Sequence, residues 1–217
     1  MASAPDDVID EVRPYTKSSP ERIEAMASAI DATRDIPGDI VECGVWRGGN
    51  IILARKIDPD RICWLYDTFS GMTEPKDIDV TKSGRSAMQS YAAKLKDGRQ
   101  WNGVSLDDVK KNFQETGTLD DSKLIFVVGP VEQTLLKPEN LTDRISVLRL
   151  DTDWHASTKI ELEILYPRLS PGGILIVDDY GHWRGAKLAV DDYFGNPMPE
   201  MKRIDYTAIS IVKPLTP

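Results

Sequence analysis

The chain has no surplus of positive charge, almost no cysteine or histidine, and no long apolar run, and each shortage narrows what it can be. Its 27 Lys and Arg stand against 35 Asp and Glu, a net charge of -8, with a pI near 4.9. That balance argues against a nucleic-acid backbone or an anionic membrane as the main partner. No segment approaches membrane-spanning length, and no charged-then-apolar leader opens Met1-Ala-Ser-Ala-Pro5, so no membrane partner and a cytoplasmic location are expected. The two cysteines, Cys43 and Cys63, sit inside apolar strand-like runs. They read as small core hydrophobes of a reducing compartment rather than as a disulfide or a nucleophile. A second periodic block is also missing, and 217 residues suffice for one α/β domain with a substantial core.

What the chain does have is acid at the ends of two apolar runs. Ile145-Ser-Val-Leu-Arg-Leu150 leads into Asp151-Thr152-Asp153, and Ile174-Leu-Ile-Val177 leads into Asp178-Asp179. Short β-branched runs of this kind read as parallel strands covered on both faces, and the helical stretch between them makes a βαβ unit. A single right-handed crossover sets such strands side by side, so Asp151 and Asp178 are expected at one carboxyl edge, roughly 5 Å apart. Partly buried acids there repel by on the order of a few kcal/mol. A hard divalent cation, Mg2+, is the simplest neutraliser.

The rest of the pattern alternates strand and helix. Residues 1–13 are polar and acidic, a loose arm or an oligomer contact, and on that ground a homodimer is expected. Ser19-Pro20 opens a helix whose apolar stripe is Ile23, Met26, Ala27 and Ile30. Residues 38–44 form the first strand, whose exit Gly44-Val-Trp-Arg-Gly-Gly-Asn50 is a glycine-rich turn into a helix over 51–57. Such a turn lets a ligand approach the backbone at free helix N–H groups. Residues 61–66 form the second strand, and Asp67 at its tip is placed to hold ribose hydroxyls. Residues 72–103 show only weak helical character around 86–95, which suggests a lid or substrate loop. A helix over 105–113, strands over 124–128 and 145–150, a helix over 157–169, a strand over 174–177 after Pro171-Gly172-Gly173, and a helix over 185–194 follow. In that last helix Ala186, Leu188, Ala189 and Val190 are expected to pack inward. Two strands near 201–204 and 208–212 close the chain. The result is a doubly wound, mostly parallel seven-stranded Rossmann-like sheet with a terminal antiparallel hairpin. Residues 1–35 read as arm and helix, and 36–217 as one domain. Ligands in such sheets bind beyond the carboxyl ends of the strands at the switch point.

Four blocks carry a resemblance: Pro14-Tyr-Thr16, residues 36–49, Tyr66-Asp-Thr-Phe-Ser-Gly-Met72, and residues 165–173 followed by Val177-Asp-Asp-Tyr-Gly181. Together they resemble the macrocin O-methyltransferase family over about residues 14–195. The resemblance implies a class I methyltransferase that uses S-adenosylmethionine (SAM) and Mg2+ to methylate sugar hydroxyls of secondary metabolites. It implies Asp151, Asp178 and Asp179 as metal ligands. It places Thr16, Glu42, Gly44, Asn50, Asp67, Thr68, Ser70, Gly129, Val131, Glu132 and Asp151 in the cofactor site. The acceptor would be a small molecule offering two neighbouring oxygens to one cation.

The chemistry also needs a base. The only histidines, His155 and His182, flank the acids and are the candidates, with substrate contact as their other role. The chain departs from the family here, carrying His155-Ala156-Ser157 where Tyr-Glu-Ser is usual. Asp153 reads as a helix cap or as an acid that orients its neighbours, Trp154 and Trp183 as sugar platforms or plain packing, and Asp191-Asp192 as a solvated helix face. A nicotinamide-dependent oxidoreductase would share the glycine turn and Asp67, but it needs Gly-x-Gly-x-x-Gly, which Val45-Trp46-Arg47 interrupts, and it leaves the acids unused. A non-catalytic SAM- or sugar-binding domain is the other alternative.

Overall fold

The computed structural model of the protein describes residues 6–215. Its strands are β1 (Asp39–Cys43), β2 (Cys63–Asp67), β3 (Leu124–Val128), β4 (Ile145–Leu150), β5 (Leu169–Val177), β6 (Met201–Arg203) and β7 (Ile209–Val212). They form one sheet in the order β3-β2-β1-β4-β5-β7-β6. The first five are parallel to their neighbours, while β7 pairs antiparallel with both β5 and β6. This is the expected Rossmann-like methyltransferase sheet with its terminal hairpin.

Every residue of β4 is buried, as a central parallel strand requires. One face of the sheet is covered by α1 (Asp6–Val12), α2 (Pro20–Ala32), α3 (Gly49–Ile57) and α5 (Leu106–Glu115), whose Ile23, Met26, Ile51, Ile52 and Phe113 meet Ile40, Leu65 and Val147. The other face packs Val41, Leu148, Leu150 and Leu175 against Leu162 and Leu165 of α7 (His155–Leu165) and Val190 of α8 (Arg184–Phe194). Each such side chain contributes roughly 1.5–3 kcal/mol through burial. Helix starts follow local chemistry: the Ser19 hydroxyl accepts from the Arg22 N–H and the Ser105 hydroxyl from the Asp108 N–H.

Several boundaries differ from the sequence reading. Among residues 6–13 the arm is a helix, with Ile9 and Val12 buried in the first core. Those apolar residues are covered within the chain; residues 1–5 lie outside the described residues. Helix α7 begins two residues early, because the Asp79 carboxylate accepts the His155 N–H at 2.9 Å and caps it. Strand β5 starts at Leu169 rather than Ile174, the intervening glycines sitting where its register with β4 shifts. Leu188 is 38% exposed and turns outward. The 72–103 stretch contains α4 (Ala87–Lys96) and is tied down by isolated bridges Val80–Ser86 and Thr81–Trp183.

Candidate active site

The chain winds from β1 toward β3 on one side and from β4 toward β6 on the other, so β1 and β4 mark the switch point. A cavity of about 370 Å³ opens there. Gly44, one residue past β1, has φ +85°, and a Cβ on it would lie 2.0 Å from the Asp151 carbonyl oxygen. Only glycine lets the two strand tips close at this angle.

Asp67 lines the cavity, and its carboxylate is already employed. Oδ2 accepts from the N–H groups of Val45 (2.8 Å) and Trp46 (2.9 Å), and Oδ1 from that of Phe69 (2.9 Å). It therefore fixes the glycine loop, a task the ribose expectation did not include. Thr16, Asn50, Thr68, Gly129, Val131 and Glu132 also line the cavity. Ser70, also expected in the cofactor site, is not among the lining residues: its N–H goes to Thr68 Oγ1 and the residue is exposed. The Glu132 Oε2 and Asn50 Oδ1 atoms are buried without a partner. Orphaned acceptors in a cavity of this size fit a ligand rich in hydrogen-bond donors, as SAM is.

Behind the cavity lies a charge network built around one arginine. Glu42 and Arg149 are register partners on β1 and β4, and both are almost inaccessible. Arg149 Nη1 donates to Glu42 Oε1 and Asp151 Oδ2, both at 2.8 Å, and Nη2 donates to Asp178 Oδ1 at 2.6 Å. Arg22 takes Asp178 Oδ2 and also reaches Asp205 at 3.0 Å. Burial nevertheless raises the Glu42 carboxyl to about 7 against the pull of Arg149 and Asn50. Glu42 thus supports the lining residue Asn50, whose Nδ2 donates to it at 2.9 Å, and lies behind the cavity lining rather than in it. Asp178 spends both oxygens on arginines. The sequence reading assigned that neutralisation to a cation.

The acids whose oxygens do converge are Asp151, Asp153 and Asp179, all within 4.8 Å of one another. Asp178, expected as the third ligand, is replaced in this trio by Asp153. Burial and mutual repulsion push the Asp151 and Asp179 carboxyls well above the usual range and the Asp153 carboxyl to about 7. Asp179 Oδ2 is buried and unpartnered. Asp153 holds φ +68°, an uncommon backbone for a residue with a Cβ, and Trp154 rather than Asp153 occupies the N-cap of α7. Three hard oxygen donors, one of them orphaned, suit a hard divalent cation such as Mg2+.

The two histidines separate. His155 lies outside the cavity lining and is held by its backbone to Asp79, so the structure does not place it as a base. His182 lines the cavity, with Nδ1 2.7 Å from the Tyr206 hydroxyl. Burial and nearby Arg85 lower its pKa, which keeps the ring neutral. Trp101, Trp154 and Trp183 pack edge to face, with centroids 5.0–6.4 Å apart. Trp154 is buried packing, while Trp101 and Trp183 reach the cavity.

Comparison with known proteins agrees with this geometry. The family described as macrocin-O-methyltransferase (TylF) matches residues 12–213. The chain belongs to the macrocin O-methyltransferase family. Within that family it is 39% identical over 165 residues to the 8-demethyl-8-(2,3-dimethoxy-alpha-L-rhamnosyl)-tetracenomycin-C 4'-O-methyltransferase of Streptomyces olivaceus, covering 74% of this chain and 59% of that one. It is 36% identical over 175 residues to the mycinamicin III 3''-O-methyltransferase of Micromonospora griseorubida, covering 76% and 65%. The matched segments thus span less than two thirds of these relatives' length. The solved structure of the O-methyltransferase NovP superposes with a TM-score of 0.79 at 31% identity, covering 97% of this chain and 88% of that one. Sequence reasoning missed the roles of Arg149 and Arg22, and it read Asp153 as a helix cap or orienting acid rather than as a member of the converging trio. The signal for Arg149 was present, a lone charge inside an otherwise uncharged buried strand.

Proposed function

We propose that the chain is a SAM- and Mg2+-dependent O-methyltransferase that acts on a hydroxyl of a sugar, or of another acceptor with neighbouring oxygens, in natural-product biosynthesis. The observation that carries the reading is that the acid trio and the glycine loop open on the same cavity. Family membership and relatives named for methylating sugar-bearing antibiotics support it.

An alcohol is a poor nucleophile near neutral pH because almost none of it is alkoxide; bound Mg2+ would acidify the hydroxyl, and SAM would supply the methyl group. The chain's own part is positioning. Asp67 holds the loop of Gly44, Val45 and Trp46, which shapes the cofactor end of the cavity. Asp151, Asp153 and Asp179 would hold the cation, and Arg149 with Arg22 engages both oxygens of Asp178. In the neutral tautomer whose Nδ1–H is donated to the Tyr206 hydroxyl, 2.7 Å away, His182 has Nε2 free to take the acceptor's proton. Trp101 and Trp183 exclude water from that wall, and alignment supplies much of the rate.

The test is calorimetry with S-adenosylhomocysteine (SAH) and with NAD, followed by transfer of labelled methyl from SAM to a panel of deoxysugar-bearing natural products with and without chelator. Tighter NAD binding overturns the methyltransferase reading. Transfer indifferent to chelator overturns the metal, and SAH binding with no transfer to any glycosylated acceptor favours a binding domain.

A further inference from the structure

Three cations stand close together at the cavity: Lys17 lies in its lining, and Lys94 and Arg47 are near enough to act on the Lys17 ammonium. Among the described residues none of the three forms an ion pair.

Each rests instead on an aromatic ring of the cavity wall. The Lys17 ammonium lies 4.7 Å and the Arg47 guanidinium 4.8 Å from the Trp46 ring centre, and the Lys94 ammonium lies 5.5 Å from that of Trp101. Lys17 itself lines the cavity and donates to Asn102, another lining residue. Its proton is held less tightly than usual because its stem is partly buried and because Lys94 and Arg47 stand close. The same ammonium feels Asp151 and Asp153 without touching them. Lys17 and the acid trio thus line one cavity. Like charges gathered without counter-ions raise the free energy of the empty cleft, and a bound anion relieves it.

We propose that the acceptor carries an anionic group, phosphate or carboxylate, which Lys17, Lys94 and Arg47 bind while a nearby hydroxyl of the same molecule meets the acid trio. The proposal rests on the methyltransferase reading and narrows its substrate to anionic sugars such as sugar phosphates, nucleoside-diphosphate sugars or uronic acids. Lys17 and Lys94 are specificity residues, since an ammonium attracts a compact anion as a point charge and gains nothing comparable from a neutral glycoside.

The experiment titrates the full chain, saturated with SAH in constant MgCl2, with glucose 1-phosphate, UDP-glucose, glucuronate and neutral methyl glucoside. At least one anionic probe is expected to bind about tenfold or more tightly than methyl glucoside. In the Lys17→Gln/Lys94→Gln double variant that gap closes, while SAH affinity and the unfolding midpoint are unchanged. The phosphate and carboxylate arms identify which anion the mouth prefers. Equal binding of neutral and anionic probes, a gap that survives the double substitution, or SAH affinity that falls in step with probe affinity overturns the proposal. Failure of wild type to bind SAH sinks the methyltransferase reading as well, whereas SAH binding without anion preference sinks this proposal alone.

Discussion

Glu161 offers a sharp test of the energetics beneath the site. It lies on α7, is fully buried, and both carboxylate oxygens receive the Thr152 hydroxyl, at 2.9 and 3.1 Å. Burial raises its carboxyl from 4.5 to about 8, with Glu132 adding to the rise and Thr152 opposing it. Between those values the folded protein holds a proton that the unfolded chain releases. The stability this proton represents is fully present below about 4.5 and is lost as pH rises through about 8. At about 1.4 kcal/mol per pH unit, the whole window is worth about 5 kcal/mol, and the part below pH 7 about 3. Glutamine keeps the shape and cannot ionise. Glu161→Gln is therefore expected to match wild type near pH 4.5, to exceed it by about 3 kcal/mol at pH 7, and to level off above pH 8. Urea unfolding at pH 5, 6, 7 and 8 reads the difference directly. A gap that does not vary with pH would refute the claim that burial keeps this carboxyl protonated.

Three further outcomes follow from the network at the strand tips. Because Asp179 has a free oxygen and Asp178 has none, Asp179→Asn should weaken Mn2+ binding, read by electron paramagnetic resonance, by about tenfold or more, whereas Asp178→Asn should leave it largely intact; the reverse order would restore Asp178 as a ligand. Arg149→Met strands the buried Glu42 carboxylate, leaves Asp178 with Arg22 alone, and is expected to cost about 3–5 kcal/mol, a fall of roughly 6–20 °C in Tm, and a calorimetric Tm within a degree of wild type would show that the arginine is dispensable. Gly44→Ala combines a left-handed backbone with a 2.0 Å approach to the Asp151 carbonyl, so it should lose about 1–2 kcal/mol for conformation alone and lower SAH affinity in a titration; unaltered SAH binding would mean the loop tolerates the displacement.

Much of the fold was legible because its determinants are local. The run Leu124–Val128 and the run Ile145–Leu150 are strands with the expected bounds, since β-branched apolar runs of that length have few other uses. Ser19 before Pro20, and Ser105 before Leu106, mark helix starts whose capping bonds the structure contains. Errors came where a distant residue intervened. Asp79 moved the start of α7 by accepting the His155 N–H from 76 positions away, and the core reached out to claim Ile9 and Val12 of the supposed arm.

The site divides along the same line. Sequence by itself determined that acids and a glycine turn would meet at one carboxyl rim of the sheet, because the alternation of strand and helix follows from patterns read a few residues at a time; the strand order that puts this cleft between β1 and β4 is tertiary. Only the tertiary structure decided what each acid does. Asp178 is answered by Arg22, 156 positions away, Glu42 by Arg149, 107 positions away, and Asp153 is turned into the trio by a backbone angle of +68°. Burial, which sets the charge of Glu42, Glu161 and Asp153, is a property of everything packed around a carboxyl and has no signature in the residues beside it.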